Sequence, residues 1–313
     1  MLFLKTKSFR ILKSNLKIVK VMQNSISQFI ELVSNLKIAV VGETIIDEFV
    51  EVQYQGQSMK SFCPVFRFTE AEKQVQNGGA GAIASHLKDF VKSVDLITNS
   101  KEEIIKTRFI DKDGKKKHLE LNKIDNTNFD KISIDTKKYD VVIVADFGHG
   151  FCDKLEIEGG FHLMCQTNSN NFGFNRLSKW KKHRKHSICL DLREASLQIN
   201  ERFEECSDQK AIEIYDYEIN CDDLFVTLGG KGALLTEGNN VYRQPVFKSN
   251  IVDTIGAGDT FFAFASLMSA IEISHENKLM IPSLAASLST TWLCNEESVT
   301  REKLLDYANQ HLQ

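Results

Sequence analysis

Residues Asp253-Thr254-Ile255-Gly256-Ala257-Gly258-Asp259-Thr260 place two glycines and a carboxylate just before a strongly apolar run, Phe261 to Ala265. A β-rich stretch over 242–252 leads into them, and the apolar run reads as the start of a helix. A turn of this composition lets backbone amides approach a ligand, and the first N–H groups of a helix attract anions. A carboxylate beside such amides is poorly suited to holding phosphate, because like charges repel. It is well suited to taking a proton from a hydroxyl that then attacks a phosphoryl group held by the amides. The chemistry to expect is phosphoryl transfer to an alcohol. The rest of the chain must then supply an acceptor pocket and a nucleotide pocket.

Other residues fit those two pockets with less specificity. Asp47 and Asp146 each follow a buried-strand pattern (Lys37 to Val41 and Asp140 to Ala145), and open α/β sheets bind ligands at the carboxyl ends of their strands. Asp47 is placed to accept hydrogen bonds from sugar hydroxyls, or is an ordinary loop acid. Lys106 and Arg108 lead into a hairpin pattern and are long enough to reach a phosphate, although surface bases more often do nothing so specific. His149, between two glycines, reads more readily as structural than as catalytic. The glycines of Asn77-Gly78-Gly79-Ala80-Gly81 permit close approach of a substrate or merely tight helix–strand packing. Thr227-Leu228-Gly229-Gly230-Lys231-Gly232 offers backbone amides to phosphates or makes a hairpin turn; its spacing is not that of a Walker A loop. Asp191 and Glu194, three apart, suit a hydrated Mg²⁺ or a helix capping box, and both can hold together.

Alternating strand and helix patterns predict a mainly parallel sheet covered on both faces. The strands expected over 49–68 and 107–121, the latter turning at Asp113-Gly114, predict a small sheet projecting as a lid. The last two helices are expected over Pro282–Cys294 and Arg301–Leu312. The 313 residues carry a net charge of −3, which gives no drive toward nucleic acid or an anionic membrane. The longest apolar run is too short to span a bilayer. Seven cysteines, odd in number and without a CxxC pair, read as reduced residues of a cytoplasmic protein. Residues 1–21 are basic and without acids; with the helix expected over 25–35 they form a leader or the remnant of an upstream domain, and 36–313 the main domain.

These motifs, in this order, resemble the ribokinase-like sugar kinases of the PfkB family. The resemblance runs from about Leu36 to Leu312 and is carried by GETIID, NGGAGAIASHL, KTRFID, VVIVADFGHG, VTLGGKGALL and, most specifically, DTIGAGDTF. Within the family the chain is most similar to kinases of bacterial heptose activation, which phosphorylate heptose 7-phosphate at its anomeric hydroxyl. Some of these are modules fused behind a nucleotidyltransferase domain, so functional coupling to such a domain is an expectation.

The resemblance implies an α/β, ribokinase-like three-layer sandwich with a projecting β lid that closes over the sugar and excludes water. It implies ATP and Mg²⁺ as cofactors and a sugar or sugar phosphate as partner; the oligomeric state is open, and lid strands with exposed edges offer a route to a homodimer. By the same resemblance Asp259 is the general base, and the amides of Gly256, Ala257 and Gly258 are an anion hole. Asp47, Gly78, Gly79, Arg108 and Asp146 fall on the acceptor side. Thr227, Gly229, Gly230, Gly232, Asp253 and Thr254 fall on the nucleotide side, and Asp191 and Glu194 near Mg²⁺, with Asp191 where an Asn is commoner. Three departures concern the acceptor half: few residues between Thr98 and Lys106, a short crossover between Gly150 and Phe161, and Ala82 in place of an Asn. They leave open a kinase for another sugar or a nucleoside, and a catalytically weak sensor of sugar phosphates or nucleotides.

Overall fold

The computed structural model describes residues 23–99, 104–112, 116–124, 129–168, 173–217 and 220–310. The basic leader and the Asp113-Gly114 turn lie outside these residues. The chain opens with helix α1 (23–33) and runs through β1 (Lys37–Gly42), β2 (Thr44–Gln57), β3 (Pro64–Phe68), β4 (Gln74–Gly79), α2 (Ala80–Leu87) and β5 (Ser93–Ile97). Next come β6 (Ile104–Ile110), β7 (Lys117–Ile124), β8 (Ile132–Asp135), β9 (Val141–Asp146), β10 (Leu155–Glu158), β11 (Phe161–Cys165) and β12 (Lys185–Asp191). The last part holds α3 (Leu192–Gln198), α4 (Asp208–Asp216), β13 (Cys221–Thr227), β14 (Ala233–Glu237), β15 (Asn240–Gln244), α5 (Ala257–Ser269), α6 (His275–Ser289) and α7 (Arg301–Gln310).

Among the described residues the main sheet has eight strands in the order β15-β14-β13-β12-β11-β9-β1-β5. All neighbours from β13 to β5 pair in parallel, and β14 and β15 close one edge as antiparallel strands. Because strand side chains alternate, β1 sends Ile38 and Val40 into one core and Ala39 and Val41 into the other. The first core is covered by α1, α2, α5, α6 and α7. Phe29, Phe90 and Phe264 join α1, the end of the α2 segment and α5 there, with the Phe90 and Phe264 rings edge-to-face at 4.9 Å.

The second face is thinner. Its cover is α3, α4, the short parallel pair β8–β10 and irregular segments carrying Phe151, Leu177 and Trp180. The short crossover between β9 and β11 contains a single 3-10 turn and β10 in place of an α-helix. Phe151, Cys152 and Ile157 cover the sheet from that link.

Three expected boundaries move. The helix placed at Pro282–Cys294 begins at His275, because Ser274 caps it by accepting from Asn277 N, and it ends at Ser289 with Pro282 inside. The β-rich run over 242–252 keeps its ladder as far as Gln244; Pro245, which has no N–H to donate, follows directly. The last helix ends at Gln310 among the described residues.

The lid is a second sheet. β2 pairs in parallel with β6 along one edge, while its other edge takes β4 first and β3 farther along. β7 adds antiparallel to β6. Asp47 therefore sits within a strand, and Gly78-Gly79 belongs to the lid sheet as well as leading into α2.

Candidate active site

The turn before α5 is braced from behind. Gly256 caps the helix in the left-handed region at φ 86°, and Ala257 N donates to Thr254 O at 3.3 Å. Thr260 donates to Gly256 O through both N (2.9 Å) and Oγ1 (3.0 Å). His86 of α2 completes the brace. Its Nδ1 accepts from Val299 N at 3.0 Å, so Nε2 carries the proton that meets Thr260 Oγ1 at 3.1 Å. Burial, then the charge of Lys303, holds this imidazole neutral with a pKa of about 4. On the open side, a Cβ added at Gly258 would meet nothing within 4 Å, so the helix start faces free space. Asp259 is 9% exposed. Its pKa is pushed up to about 7, first by burial and then by the Asp47 charge, with Lys106 opposing.

On the acceptor side, Asp47 of β2 is registered against Lys106 of β6, and Arg108 lies two residues farther along the same strand. Strand alternation puts all three on the lid face that rests over the 253–259 turn. Arg108 grips Asp47 Oδ1 through Nη1 and Glu120 Oε2 through Nε, the latter at 2.9 Å. Burial raises the Asp47 pKa, and Arg108 works against that rise. Gly78 is needed for fit: a Cβ there would fall 2.2 Å from Asp47 Oδ2. Gly79 adjoins it, and Glu43 O, Phe147 and Ile45 enclose it. Asn295 lies between Asp47, Gly78 and Gly256. Its N donates to Gln76 Oε1 at 2.8 Å, its Nδ2 reaches Asp47 Oδ2 at 3.5 Å, and its Oδ1 is buried without a partner.

On the nucleotide side a cavity of about 1600 Å³ opens between α3, the β13–β14 turn, the 246–251 segment and the start of α5. Thr227, Gly229, Gly230, Gly232, Thr254, Ala257 and Gly258 all line it. β13 and β14 are antiparallel, so the 227–232 loop is a hairpin turn, and that turn forms one wall of the cavity. Asp253 corrects an expectation: it is buried toward the lid, where Lys117 Nζ of β7 meets its Oδ1 at 2.8 Å, and it does not line the cavity.

Asp191 and Glu194 form the capping box. Glu194 N donates to Asp191 Oδ1 at 2.7 Å, and Asp191 N to Glu194 Oε2 at 2.8 Å. Thr167 N adds a bond to Glu194 Oε1 at 2.8 Å. Asp191 is exposed at the cavity wall, whereas Glu194 is buried behind it. Burial, then Asp191, pushes the Glu194 pKa up to about 8 despite those amide bonds. A buried carboxyl with too much negative charge around it, behind a carboxylate open to the cavity, fits a hydrated divalent cation bridged to phosphates. Direct ligation by Glu194 fits less well, because each of its oxygens already accepts an amide.

Asp146 is a second correction. It is fully enclosed, with Trp180 Nε1 and Lys179 Nζ at 2.8 and 2.7 Å from Oδ2, and Gly148 N and Asn175 Nδ2 at 3.1 and 3.2 Å from Oδ1. It anchors the 147–180 layer and does not face the acceptor pocket. Glu43 beside it accepts from the N–H groups of Phe147, His149 and Phe151 at 2.9, 3.2 and 3.2 Å, which folds the loop after β9. Burial, then Asp146, raises the Glu43 pKa to about 7. Glu43, Asp146 and Cys152 are close enough to suit a metal. The Lys179 ammonium already supplies the cation there.

Sheet order, lid and cavity together define the ribokinase-like fold. The nucleoside kinase of Methanocaldococcus jannaschii superposes with a TM-score of 0.62 at 17% identity, covering 89% of this chain and 99% of that one. The Arabidopsis thaliana ribokinase solved with ribose and ATP gives 0.57 at 17% identity, covering 88% and 99%. Residues 157–289 match the model of the pfkB family of carbohydrate kinases. A 38-residue stretch is 53% identical to the fructosamine kinase of Bacillus subtilis; it is 12% of this chain and spans just 13% of that relative's length. The likeness to the solved structures gives the chain a ribokinase-like fold, and the match to the pfkB carbohydrate kinase model is confined to residues 157–289.

Proposed function

We propose that the protein transfers the γ-phosphoryl group of ATP to a hydroxyl of a sugar or sugar phosphate, with Asp259 as general base. One observation carries this reading. A buried carboxyl with its pKa near 7 stands at an open helix start, with the nucleotide cavity on one side and the lid face on the other. ATP lies in the cavity with its phosphates toward the amides of Gly256, Ala257 and Gly258, and the 227–232 turn walls it. The acceptor lies under the lid, where Asp47 receives hydrogen bonds from its hydroxyls and Gly78-Gly79 leave room for its ring. A base with this pKa takes the hydroxyl proton near neutral pH, and the amides offset the charge that grows on the transferred group. Asp191 would hold a hydrated Mg²⁺ with Glu194 orienting it from behind. When bound, that ion supplies charge neutralisation of the phosphates.

Among acceptors, a heptose 7-phosphate attacked at its anomeric hydroxyl is supported by the motif resemblance. A homodimer through the lid is supported by apolar side chains exposed on it, among them Phe68, Val75, Leu119 and Leu121. The test is ADP release with ATP, Mg²⁺ and a panel of sugars, sugar phosphates and nucleosides, with products identified by mass. One acceptor should give ADP and a phosphorylated product in equal amounts. Binding of ATP and of a panel member by calorimetry, with no product from any of them, would make the protein a sensor and sink the kinase reading.

A further inference from the structure

A second cavity, of about 430 Å³, opens where the lid meets the rest of the chain, and neither Asp47 nor Asp259 lines it. The lid supplies Phe49 and Glu51 of β2, Ile110 of β6 with Lys112 just beyond it, and Glu72 ahead of β4. The facing wall comes from the segment between α6 and α7, with Trp292, Leu293, Glu296 and Glu297. Phe49, Ile110 and Leu293 belong to one apolar cluster, which joins the two walls.

Carboxylates reach this cavity from both walls. Lys303 neutralises Glu297 at 2.6 Å. Glu51 and Glu72 on the lid and Glu296 opposite make no side-chain hydrogen bond or ion pair among the described residues, and neither does Lys112. Like charges brought to one cleft repel, and a cation between them removes that cost. The oxygens of these carboxylates do not gather in threes within 4.8 Å of one another, as the ligand atoms of Glu43, Asp146 and Cys152 do. Such a spread suits an organic cation better than a bare metal ion, which needs its oxygens close around it. A separate observation concerns a donor. Trp292 lines the cavity at 7% exposure, and its Nε1 has no hydrogen-bond partner. An indole N–H can only donate, and a buried donor without an acceptor is costly. A carboxylate on the ligand would meet both Trp292 and Lys112.

We propose that this cleft binds a small zwitterion with surplus positive charge, namely an amino acid with a cationic side chain. Its carboxylate accepts from Trp292 Nε1 and pairs with Lys112. Its two cationic groups meet the unpaired carboxylates of both walls, and its methylenes lie on Phe49, Ile110 and Leu293. The volume is in the range of small-molecule sites. An occupant held by both walls ties the lid to the 291–297 segment. The site stands apart from the phosphoryl-transfer reading and does not depend on it.

Calorimetric titration of the full chain with lysine and arginine tests this, beside norleucine, which lacks the second cation, and 1,5-diaminopentane, which lacks the carboxylate. Lysine or arginine should bind with a Kd below about 1 mM, and about tenfold or more tighter than either control. The double substitution Glu51→Gln with Glu296→Gln should weaken that binding about tenfold or more. Trp292→Phe keeps an aromatic ring and removes the N–H; it should weaken the amino acid several-fold and leave 1,5-diaminopentane within about twofold. A cooperative thermal melt certifies that each variant is folded. No saturable heat from either amino acid up to about 10 mM, equal affinity for 1,5-diaminopentane, or undiminished binding in the folded double variant overturns the site. Titrations with Mg²⁺ and Ca²⁺ run in parallel: metal binding that the double variant abolishes, with no binding of either amino acid, overturns it in favour of a hydrated metal ion.

Discussion

Asp259 combines a buried position with a pKa lifted toward neutrality, and the first is the main cause of the second. Its pKa of about 7 follows from burial and the nearby Asp47 charge, so the base is protonated in acid and competent above neutrality. With kcat/KM reporting the free enzyme, the rate should fall by about tenfold per pH unit below pH 7 and level off above it. A profile flat from pH 5.5 to 8 would remove the base assignment. Stability runs the other way. The folded pKa lies above the unfolded value of 3.8, so Asp259 contributes stability in acid that is lost as pH rises toward 7. Asp259→Asn should therefore gain in melting temperature over the native protein between pH 4 and pH 7, and a constant difference across that range would contradict the shift. The motif around Asp259 was legible because glycines, a carboxylate and an apolar run form one contiguous signal. Asn295 and His86 were not. Each acts through contacts made some 170 or more residues away along the chain, His86 on Thr260 and Asn295 on Asp47. Asp146 misled for the same reason. Its place at a strand end was correctly read, but its partners Asn175, Lys179 and Trp180 come from the later segment that fills its oxygens.

At the scale of elements, ion pairs bridge the lid strands to one another, and one ion pair with a small apolar cluster of Phe49, Ile110, Leu293 and Cys294 joins the lid to the rest of the chain. Arg108 bridges Asp47 of β2 and Glu120 of β7, and Lys117 of β7 holds Asp253 beside the α5 turn. Removing one member of a buried pair leaves the other uncompensated. Arg108→Met should cost about 3–5 kcal/mol in denaturant unfolding, with acceptor affinity lost and ATP binding kept. A cost below about 1 kcal/mol would mean that the pair is screened by solvent, as surface pairs are. The main strands were legible as continuous apolar runs, and the lid hairpin from its β-rich flanks on either side of Asp113-Gly114. The thin second layer was legible just as a shortage of residues between β9 and β11; that β10 would pair with β8 there depends on a partner some twenty residues upstream. α6 was misplaced at its start because Pro282 resembles a helix opener, while the cap that governs it is Ser274.

The whole molecule divides its labour between two sheets. The parallel sheet carries the large cavity at the carboxyl ends of its strands, and the lid sheet presents Asp47, Lys106 and Arg108 on one face. No helix among the described residues is long and apolar enough to cross a membrane. The lid's outer apolar residues stand exposed, Phe62 fully so and Phe68 at 69%. The proposed homodimer would cover these side chains. Light scattering should give a dimer that Phe68→Glu converts to monomer; a monomeric native protein at micromolar concentration would contradict that. The general plan was legible because strand and helix patterns alternate along the chain. The acceptor's identity was not, since the groups around Asp259 are brought together from segments far apart in the chain.

The central claim is that Asp259 removes the proton from the acceptor hydroxyl. The most direct measurement compares native protein and Asp259→Asn for ADP formation with the best acceptor, alongside calorimetric ATP affinity. Loss of a general base costs on the order of 10²–10⁴ in rate, so turnover should fall at least that far while ATP affinity stays within about twofold. An Asn variant that binds ATP and still turns over near the native rate would contradict the account.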